Sequence, residues 1–107
     1  MEHIGILIIG SGEAGKYLAW TLAKAGHRTA LVERKMIGGS CPNIACLPTK
    51  NVIHSAKIAS FAARAQEFGL HPFPVRTEMA NVYRRKKAMV DGLIECTKSD
   101  SMRAVRS

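Results

Sequence analysis

Residues 4–15, IGILIIGSGEAG, decide the fold of this 107-residue chain. Apart from Gly5, the first six are apolar and mostly β-branched, a pattern typical of a strand buried on both faces in a parallel sheet. Glycines 10, 12 and 15 follow at once with G-x-G-x-x-G spacing. In a strand-to-helix connection, Gly10 allows a tight turn, Gly12 lets a pyrophosphate approach the backbone, and Gly15 lets the helix pack closely on the strand.

The next residues complete the same unit. Residues 14–25 show an apolar helical face, Gly26 is placed to end that helix, and residues 29–32 read as a second strand that leads into Glu33. Glu33 lies 18 residues beyond Gly15, where a carboxylate accepts hydrogen bonds from a ribose, while the helix N-terminus faces the phosphates. The order strand, glycine loop, helix, strand and acid predicts a dinucleotide-binding βαβ unit. A βαβ turn with no ligand is the alternative.

A second unusual stretch, GGSCPNIACLPTK, covers residues 38–50. Cys41 and Cys46 stand between a glycine pair and a predicted helix. On a regular helix they would point about 140° apart, so contact between them requires an irregular first turn, which the flanking Gly and Pro residues permit. A thiolate is favoured at a helix N-terminus, and Lys50 adds positive charge nearby. We interpret the stretch as a redox-active dithiol.

This run resembles the active-site motif GGxCxNxGCxPxK of the class I pyridine nucleotide-disulfide oxidoreductases. That family includes dihydrolipoamide dehydrogenase, glutathione reductase and mercuric reductase. The motif is matched at seven positions: Gly38, Gly39, Cys41, Asn43, Cys46, Pro48 and Lys50. Ala45 stands where the family has Gly, which requires that the backbone there does not adopt a positive φ.

The resemblance implies an α/β fold: the N-terminal portion of a doubly wound Rossmann-type FAD-binding domain, with an incomplete sheet and long helices. It implies that Cys41, Cys46 and Lys50 are catalytic. Cys46 would be the charge-transfer thiol, Cys41 would exchange with substrate, and Lys50 would lie beside the flavin. FAD would be bound by Gly10, Ser11, Gly12, Glu13, Ala14, Gly15, Glu33, Arg34, Gly39, Ser40, Cys46 and Lys50.

The implied activity passes electrons from NAD(P)H through FAD to the cysteine pair, and from there to a disulfide or thiophilic-metal substrate. Complete family members are homodimers in which the partner subunit supplies a His–Glu pair, and no residue here matches that pair. We therefore expect a fragment of such an enzyme that is inactive by itself. A non-catalytic FAD- or nucleotide-binding remnant is the alternative.

Composition and charge argue against two other classes of function, nucleic-acid binding and membrane binding. The formal charge of +8 and the pI near 9.9 are compatible with nucleic-acid binding, but aromatic residues are few and the only dense basic run is residues 84–87. We interpret that run as a solvated helix face, or one that meets an acidic surface, and expect no nucleic-acid partner. No apolar run approaches the roughly 18–20 residues that span a bilayer, so no membrane partner is expected.

The remaining patterns are less specific. Three cysteines without a secretory signal favour a reducing cytoplasm, and four scattered histidines argue against a metal site. The sequence predicts helices over residues 48–68 and 78–98, an extended connector over residues 70–75, and a loose polar tail over residues 99–107. Residues 1–98 would then form the partial dinucleotide-binding domain, with Cys96 as a small packing residue.

Overall fold

The computed structural model describes residues 3–105, with side chains described through residue 99. Two short strands and three long helices make up most of the chain, and the longest helix closes it. In chain order the elements are β1 (Ile6–Ile9), α1 (Glu13–Lys24), β2 (Thr29–Val32), α2 (Ser40–Asn43), α3 (Cys46–Ala63), a 3₁₀ turn (Ala65–Phe68) and α4 (Met79–Val105).

The βαβ unit predicted from the sequence is present. β1 and β2 pair in parallel, from Ile6 opposite Thr29 to Ile9 opposite Val32. The Gly10 N–H continues this pairing by donating to the Val32 carbonyl at 2.8 Å. α1 lies against the strands so closely that a Cβ on Gly15 would be 2.0 Å from the Gly10 carbonyl oxygen. Only glycine at residue 15 permits this distance between helix and strand.

α3 and α4 pack against each other and extend the molecule to 67 × 25 × 18 Å. Arg85 on α4 donates from its guanidinium to the Asn51 carbonyl at 2.5 Å and to the Ser55 hydroxyl at 2.6 Å, both on α3. α4 also lies against α1, α2 and β2. Near its far end Thr97 is buried, and a Cβ on Gly38 would be 3.9 Å from the Thr97 hydroxyl oxygen. α4 therefore supports the loop that carries the cysteines.

Helices α3 and α4 differ in extent from the prediction. α3 begins at Cys46 and ends at Ala63, because Arg64 leaves helical geometry (φ −107°, ψ 27°), and the expected last turn is the 3₁₀ turn ended by Gly69 at φ 73°. The prediction of a loose tail from residue 99 is wrong as far as Val105, since α4 continues without a break. No Gly or Pro follows residue 98 to stop that helix. Residues 106 and 107 of the predicted tail lie outside the described residues.

The strand predicted to be buried on both faces is buried on only one. Ile8 faces α1 and is 9% exposed, whereas Ile9 on the opposite face is 83% exposed and Leu7 is 59% exposed. Side chains alternate between the faces of a strand, so Leu7 and Ile9 share the face opposite Ile8, and this face is exposed. The sequence pattern of a central strand is present, but only one face of β1 is covered within the described residues.

We expect the 107-residue chain to unfold over a broad range of urea concentrations and to aggregate, because a two-stranded sheet with an uncovered apolar face is marginal. Ile9→Lys should reduce aggregation without changing helix content, since Ile9 faces solvent. Ile8→Lys, the matched control, should unfold the chain by burying a charge against α1. Circular dichroism in urea and light scattering measure both effects. A sharp two-state transition of the unmodified chain would contradict the expectation.

Candidate functional site

Ser11 connects the glycine loop to the two segments that follow β2. It is 2% exposed, and both its backbone N–H and its hydroxyl donate to Glu33 Oε2, at 2.8 and 2.7 Å. The same hydroxyl oxygen accepts the N–H of Gly38 at 2.9 Å. A hydroxyl has one proton and two lone pairs, so Ser11 can donate and accept at once. The glycine loop, Glu33 and the cysteine-bearing loop thus share one buried hydrogen-bond network.

Glu33 is held by four donors. Its Oε2 accepts from Ser11 twice, and its Oε1 accepts the N–H groups of Lys35 at 2.8 Å and Met36 at 3.2 Å. The Lys35 backbone bond, followed by the two Ser11 bonds, lowers the pKa of Glu33 from 4.5 to about 2. A carboxylate offers about four acceptor positions, and all are used here. A ribose hydroxyl that binds Glu33 would therefore replace one of these donors, and the longest bond, to Met36, is the weakest.

The two glycine-rich loops touch each other. Gly39 has φ 74°, and a Cβ on it would lie 2.8 Å from the Gly12 Cα. Gly38 has φ 88°, and a Cβ there would lie 2.9 Å from Pro42 Cγ. Both the backbone conformation and the contact distance therefore require glycine at residues 38 and 39. The contact places the dithiol loop directly against the predicted pyrophosphate cradle.

The outer side of that cradle is open. A Cβ on Gly12 would have no heavy atom within 4 Å, and no side chain caps the N-terminus of α1. The first N–H groups of a helix have no partner within the helix, so they can bind an anion. The cradle therefore fits the pyrophosphate of a dinucleotide, and a branched side chain at Gly12 would fill the space that it needs.

The cysteines lie on either side of a break between two helices. Cys41 belongs to α2 and Cys46 is the first residue of α3, while Ile44 and Ala45 both donate their N–H groups to the Ser40 carbonyl at 2.9 Å. This is the irregular turn predicted from the spacing. Ala45 has φ −112°, so the substitution of alanine for the family's glycine is accommodated.

Asn43 fixes the loop that leads to the cysteines. Its side-chain amide donates to the carbonyls of Ile37 at 2.9 Å and Gly39 at 2.6 Å. Asn43 was recognised only as a motif position and was not among the predicted site residues. Its signal is its position four residues after Gly39, from which a short side chain can reach back to the loop carbonyls. Asn43 is a positioning residue for the dithiol loop.

Cys41 and Cys46 are not joined by a disulfide in this structure; Cys41 is half-buried and Cys46 is exposed. A hydrogen bond to Cys46 raises the pKa of Cys41 above its usual value, and burial and the negative charges of Cys46 and Glu13 add to this, while Lys50 opposes it. The contact with Cys46 therefore favours the protonated form of Cys41. Two thiols in hydrogen-bond contact can be converted to a disulfide by removal of two electrons and two protons.

The other predicted site residues lie around the cysteine pair and the glycine loop. Glu13 and Ala14 occupy the exposed first turn of α1, Ser40 begins α2, and Lys50 lies one turn after Cys46 on α3. Arg34 is exposed just beyond Glu33. The structure brings the glycine loop, Glu33, Gly39 and both cysteines together. It leaves Arg34 and Lys50 as exposed side chains at the edge.

The basic run at residues 84–87 makes contacts within the chain. Arg84 donates to Asn81, Lys86 lies 4.2 Å from the centroid of the Tyr83 ring, and Arg85 bonds to α3 as described above. Lys87 contacts Asp91 at 2.6 Å, which raises the pKa of Lys87. These contacts agree with a solvated helix face that stabilises the hairpin of α3 and α4.

Three further features of the described residues bear on membranes, metal ions and Cys96. None of the described helices is long and apolar enough to cross a membrane. No group of three or more His, Cys, Asp or Glu side chains in this part of the chain could hold a metal ion. Cys96 is exposed on α4, so the packing role expected for it is not seen within residues 3–105.

Comparison with known proteins gives a consistent result. Residues 5–105 match the sequence profile of the pyridine nucleotide-disulphide oxidoreductases. Among curated proteins, the probable pyridine nucleotide-disulfide oxidoreductase RclA of Escherichia coli (strain K12) is 38% identical over 99% of this chain and 25% of its own length. Dihydrolipoyl dehydrogenase of Bacillus subtilis (strain 168) is 35% identical over 82% of this chain and 19% of its own length.

Solved structures show the same likeness. The Cu(II) complex of the HOCl-induced flavoprotein disulfide reductase RclA from Escherichia coli aligns with a TM-score of 0.72 and 36% identity, over 92% of this chain and 19% of that one. A cysteine-to-serine mutant of the same protein, also as a Cu(II) complex, gives a TM-score of 0.76 over 97% of this chain and 20% of that one, at 34% identity. This chain therefore spans a quarter or less of the length of these relatives.

We expect Cys41 and Cys46 to form a reversible disulfide that does not include Cys96. The hydrogen-bond contact between the Cys41 and Cys46 thiols places these two sulfur atoms together. Thiol trapping with and without reductant, followed by mass spectrometry, identifies the bonded pair. Detection of Cys96 in the major disulfide would refute the assignment.

Ser11→Ala should loosen the whole network, because it removes the acceptor of the Gly38 N–H and one donor to Glu33. Loss of a buried hydrogen-bond partner costs about 1–3 kcal/mol, so the Gly38 amide should exchange with solvent roughly 5- to 150-fold faster. The pKa of Glu33 should rise from about 2 toward 4.5, since fewer donors hold its charged form. Amide exchange and carboxyl titration by NMR measure both effects.

The lowered pKa of Glu33 also determines how the free energy of unfolding depends on pH. A carboxylate with a lowered pKa stabilises the fold above pH 4.5, and that contribution is lost as the pH falls toward 2. In Ser11→Ala the contribution should be smaller and its loss complete at a higher pH, because the folded-state pKa lies closer to 4.5. Ser60→Ala, at an exposed position on α3, is the control and should change neither quantity. An unchanged Glu33 titration in Ser11→Ala would contradict the network.

Proposed function

We propose, since this chain belongs to the pyridine nucleotide-disulphide oxidoreductase family, that it supplies the FAD-binding loop and the redox-active cysteine pair of a flavoprotein disulfide reductase. The observation that carries the proposal is the contact between Gly39 and Gly12, with Ser11 bonded to both Glu33 and Gly38. These contacts support a site in which a bound dinucleotide and a dithiol are immediate neighbours.

FAD, when bound, supplies the redox chemistry that carries two electrons from NAD(P)H to the cysteine pair. The chain's own residues would bind and orient it. The open cradle at Gly12 and the first turn of α1 would take the pyrophosphate, with Gly10, Ser11, Glu13, Ala14 and Gly15 forming the loop. Glu33 and Arg34 would lie on the ribose side, and Gly39, Ser40, Cys46 and Lys50 on the flavin side.

The cysteine pair would then act by thiol–disulfide exchange. The Cys41 thiol loses its proton to solvent, and its thiolate attacks one sulfur of the substrate disulfide, whose S–S bond breaks to give a mixed disulfide and one thiolate that takes up a proton. The Cys46 thiol then loses its proton to solvent, and its thiolate attacks the Cys41 sulfur. The second substrate thiolate is released and protonated, and a Cys41–Cys46 disulfide remains. Two electrons have passed from the pair to the substrate.

The substrate is a disulfide or a thiophilic metal ion in this proposal. The Escherichia coli relative is described as a Cu(II) complex, and reduced cysteines at the break between α2 and α3 are soft ligands of the kind that thiophilic ions prefer. We further propose that residues 1–98 form the partial flavin domain, that the complete enzyme is a cytoplasmic homodimer, and that Lys50 stabilises negative charge on the reduced flavin.

A second candidate is a flavin- or nucleotide-binding remnant without turnover. The exposed sheet face at Leu7 and Ile9 favours it, because parallel sheets are ordinarily covered on both faces. A purified chain that is yellow but does not oxidise NAD(P)H would support this candidate. Turnover with NAD(P)H and a disulfide substrate would exclude it.

Gly12→Val should abolish FAD binding, because its side chain would occupy the open cradle. Cys41→Ser should retain FAD binding and lose disulfide exchange, since it removes only one thiol. Flavin absorbance and fluorescence titration measure binding. Gly92→Val is the matched control, because a Cβ there also meets nothing within 4 Å but lies on α4. Retention of FAD by Gly12→Val would overturn the proposed cradle.

A further inference from the structure

Lys16 directly follows the last glycine of the cradle and has no role in the dinucleotide fingerprint. It is only 8% exposed, although lysine is rarely buried unless it is paired. Its ammonium lies 2.9 Å from Glu13 Oε1. It also lies 5.0 Å from the Tyr17 ring centroid and 5.6 Å from that of Trp20. A carboxylate and two aromatic rings therefore hold this ammonium in one place.

Glu13 occupies a position where a negative charge is a disadvantage for FAD. It is the first residue of α1, in the turn whose N–H groups face the cradle. A carboxylate is favourable there in the absence of an anionic ligand, because it complements the helix dipole. Against a bound pyrophosphate, the same carboxylate adds like-charge repulsion at short range. Something must offset this charge if the cradle is to accept FAD.

We propose that Lys16 is a positioning residue that neutralises Glu13, so that an acidic side chain can occupy the first turn of the pyrophosphate-binding helix without opposing FAD. The inference rests on the proposed function and adds a residue that acts on FAD binding through Glu13. Lys16 itself need not touch the cofactor.

The burial of Lys16 distinguishes this ion pair from the others on the surface. The Lys16 and Glu13 side chains are 10% and 45% exposed, whereas the Arg64–Glu67 pair, with the same i, i+3 spacing, is 50% and 58% exposed. Exposed pairs are screened by water and salt and contribute little. The Lys16 ammonium is mostly buried, so water and salt screen its interaction with Glu13 less than they screen the exposed pair.

A double-mutant cycle on the purified chain tests the proposal, with FAD affinity measured by flavin fluorescence. Lys16→Met should weaken FAD binding about tenfold, which corresponds to about 1.4 kcal/mol. Glu13→Gln should bind FAD more tightly than the unmodified chain, because it removes the negative charge and leaves the Lys16 ammonium unneutralised. The combined Lys16→Met and Glu13→Gln variant should recover affinity to within about twofold, because the uncompensated charge is gone. Lys24→Met, on an exposed lysine of the same helix, is the control and should change nothing.

Riboflavin separates the electrostatic role from a structural one, because it carries no phosphate. Its affinity should be equal in all variants, and circular dichroism should show equal helix content. Three results would overturn the inference: no recovery in the combined variant, a matching loss of riboflavin affinity in Lys16→Met, or full FAD affinity in Lys16→Met. Absence of FAD binding by the unmodified chain would instead overturn the proposed function on which the inference rests, and the inference with it.

Discussion

The hydroxyl of Ser11 is the group on which the arrangement of the site depends. It donates to Glu33, 22 residues away in sequence, and accepts from Gly38, 27 residues away. Because this oxygen is buried, water cannot substitute for either partner. The dinucleotide loop, the acid after β2 and the cysteine loop are thereby fixed relative to one another. The chain needs no large apolar core at this point, since backbone and hydroxyl hydrogen bonds define the geometry.

Glycines allow the close backbone contacts that, together with these hydrogen bonds, define the site. Gly15 allows α1 to approach β1, and Gly39 allows the cysteine loop to approach Gly12 at a distance that no other residue permits. The contact brings the two functional motifs of the sequence together. In the proposed function one motif binds an anion and the other carries the thiols. The two can act together because the backbones of Gly12 and Gly39, neither carrying a side chain, touch.

Local patterns in the sequence predicted the elements whose causes are local. The strand at residues 29–32, α1 and the irregular turn between the cysteines were confirmed, because glycine positions and apolar periodicity determine them. Features that depend on distant residues were not predicted. The four donors to Glu33 come from Ser11, Lys35 and Met36, and no periodicity marks them. The sequence predicts a tail from residue 99 because the residues there are mostly polar, but none of them is a Gly or Pro that would stop a helix, and α4 continues to Val105.

The packing of α4 has a consequence for how this chain can change in evolution. From Met79 to Thr97 the helix rises about 27 Å, nearly the length of α3, so the connecting loop and the cysteine loop lie at opposite ends of one hairpin. Deleting one residue inside either helix would turn everything beyond it by about 100° and carry Thr97 away from Gly38. Changes in length are therefore tolerated in the extended connector of residues 70–78, where no helical phase has to be kept. The contact with the cysteine loop therefore fixes the length of the α3–α4 hairpin at one end, and only the connector at the other end can change in length.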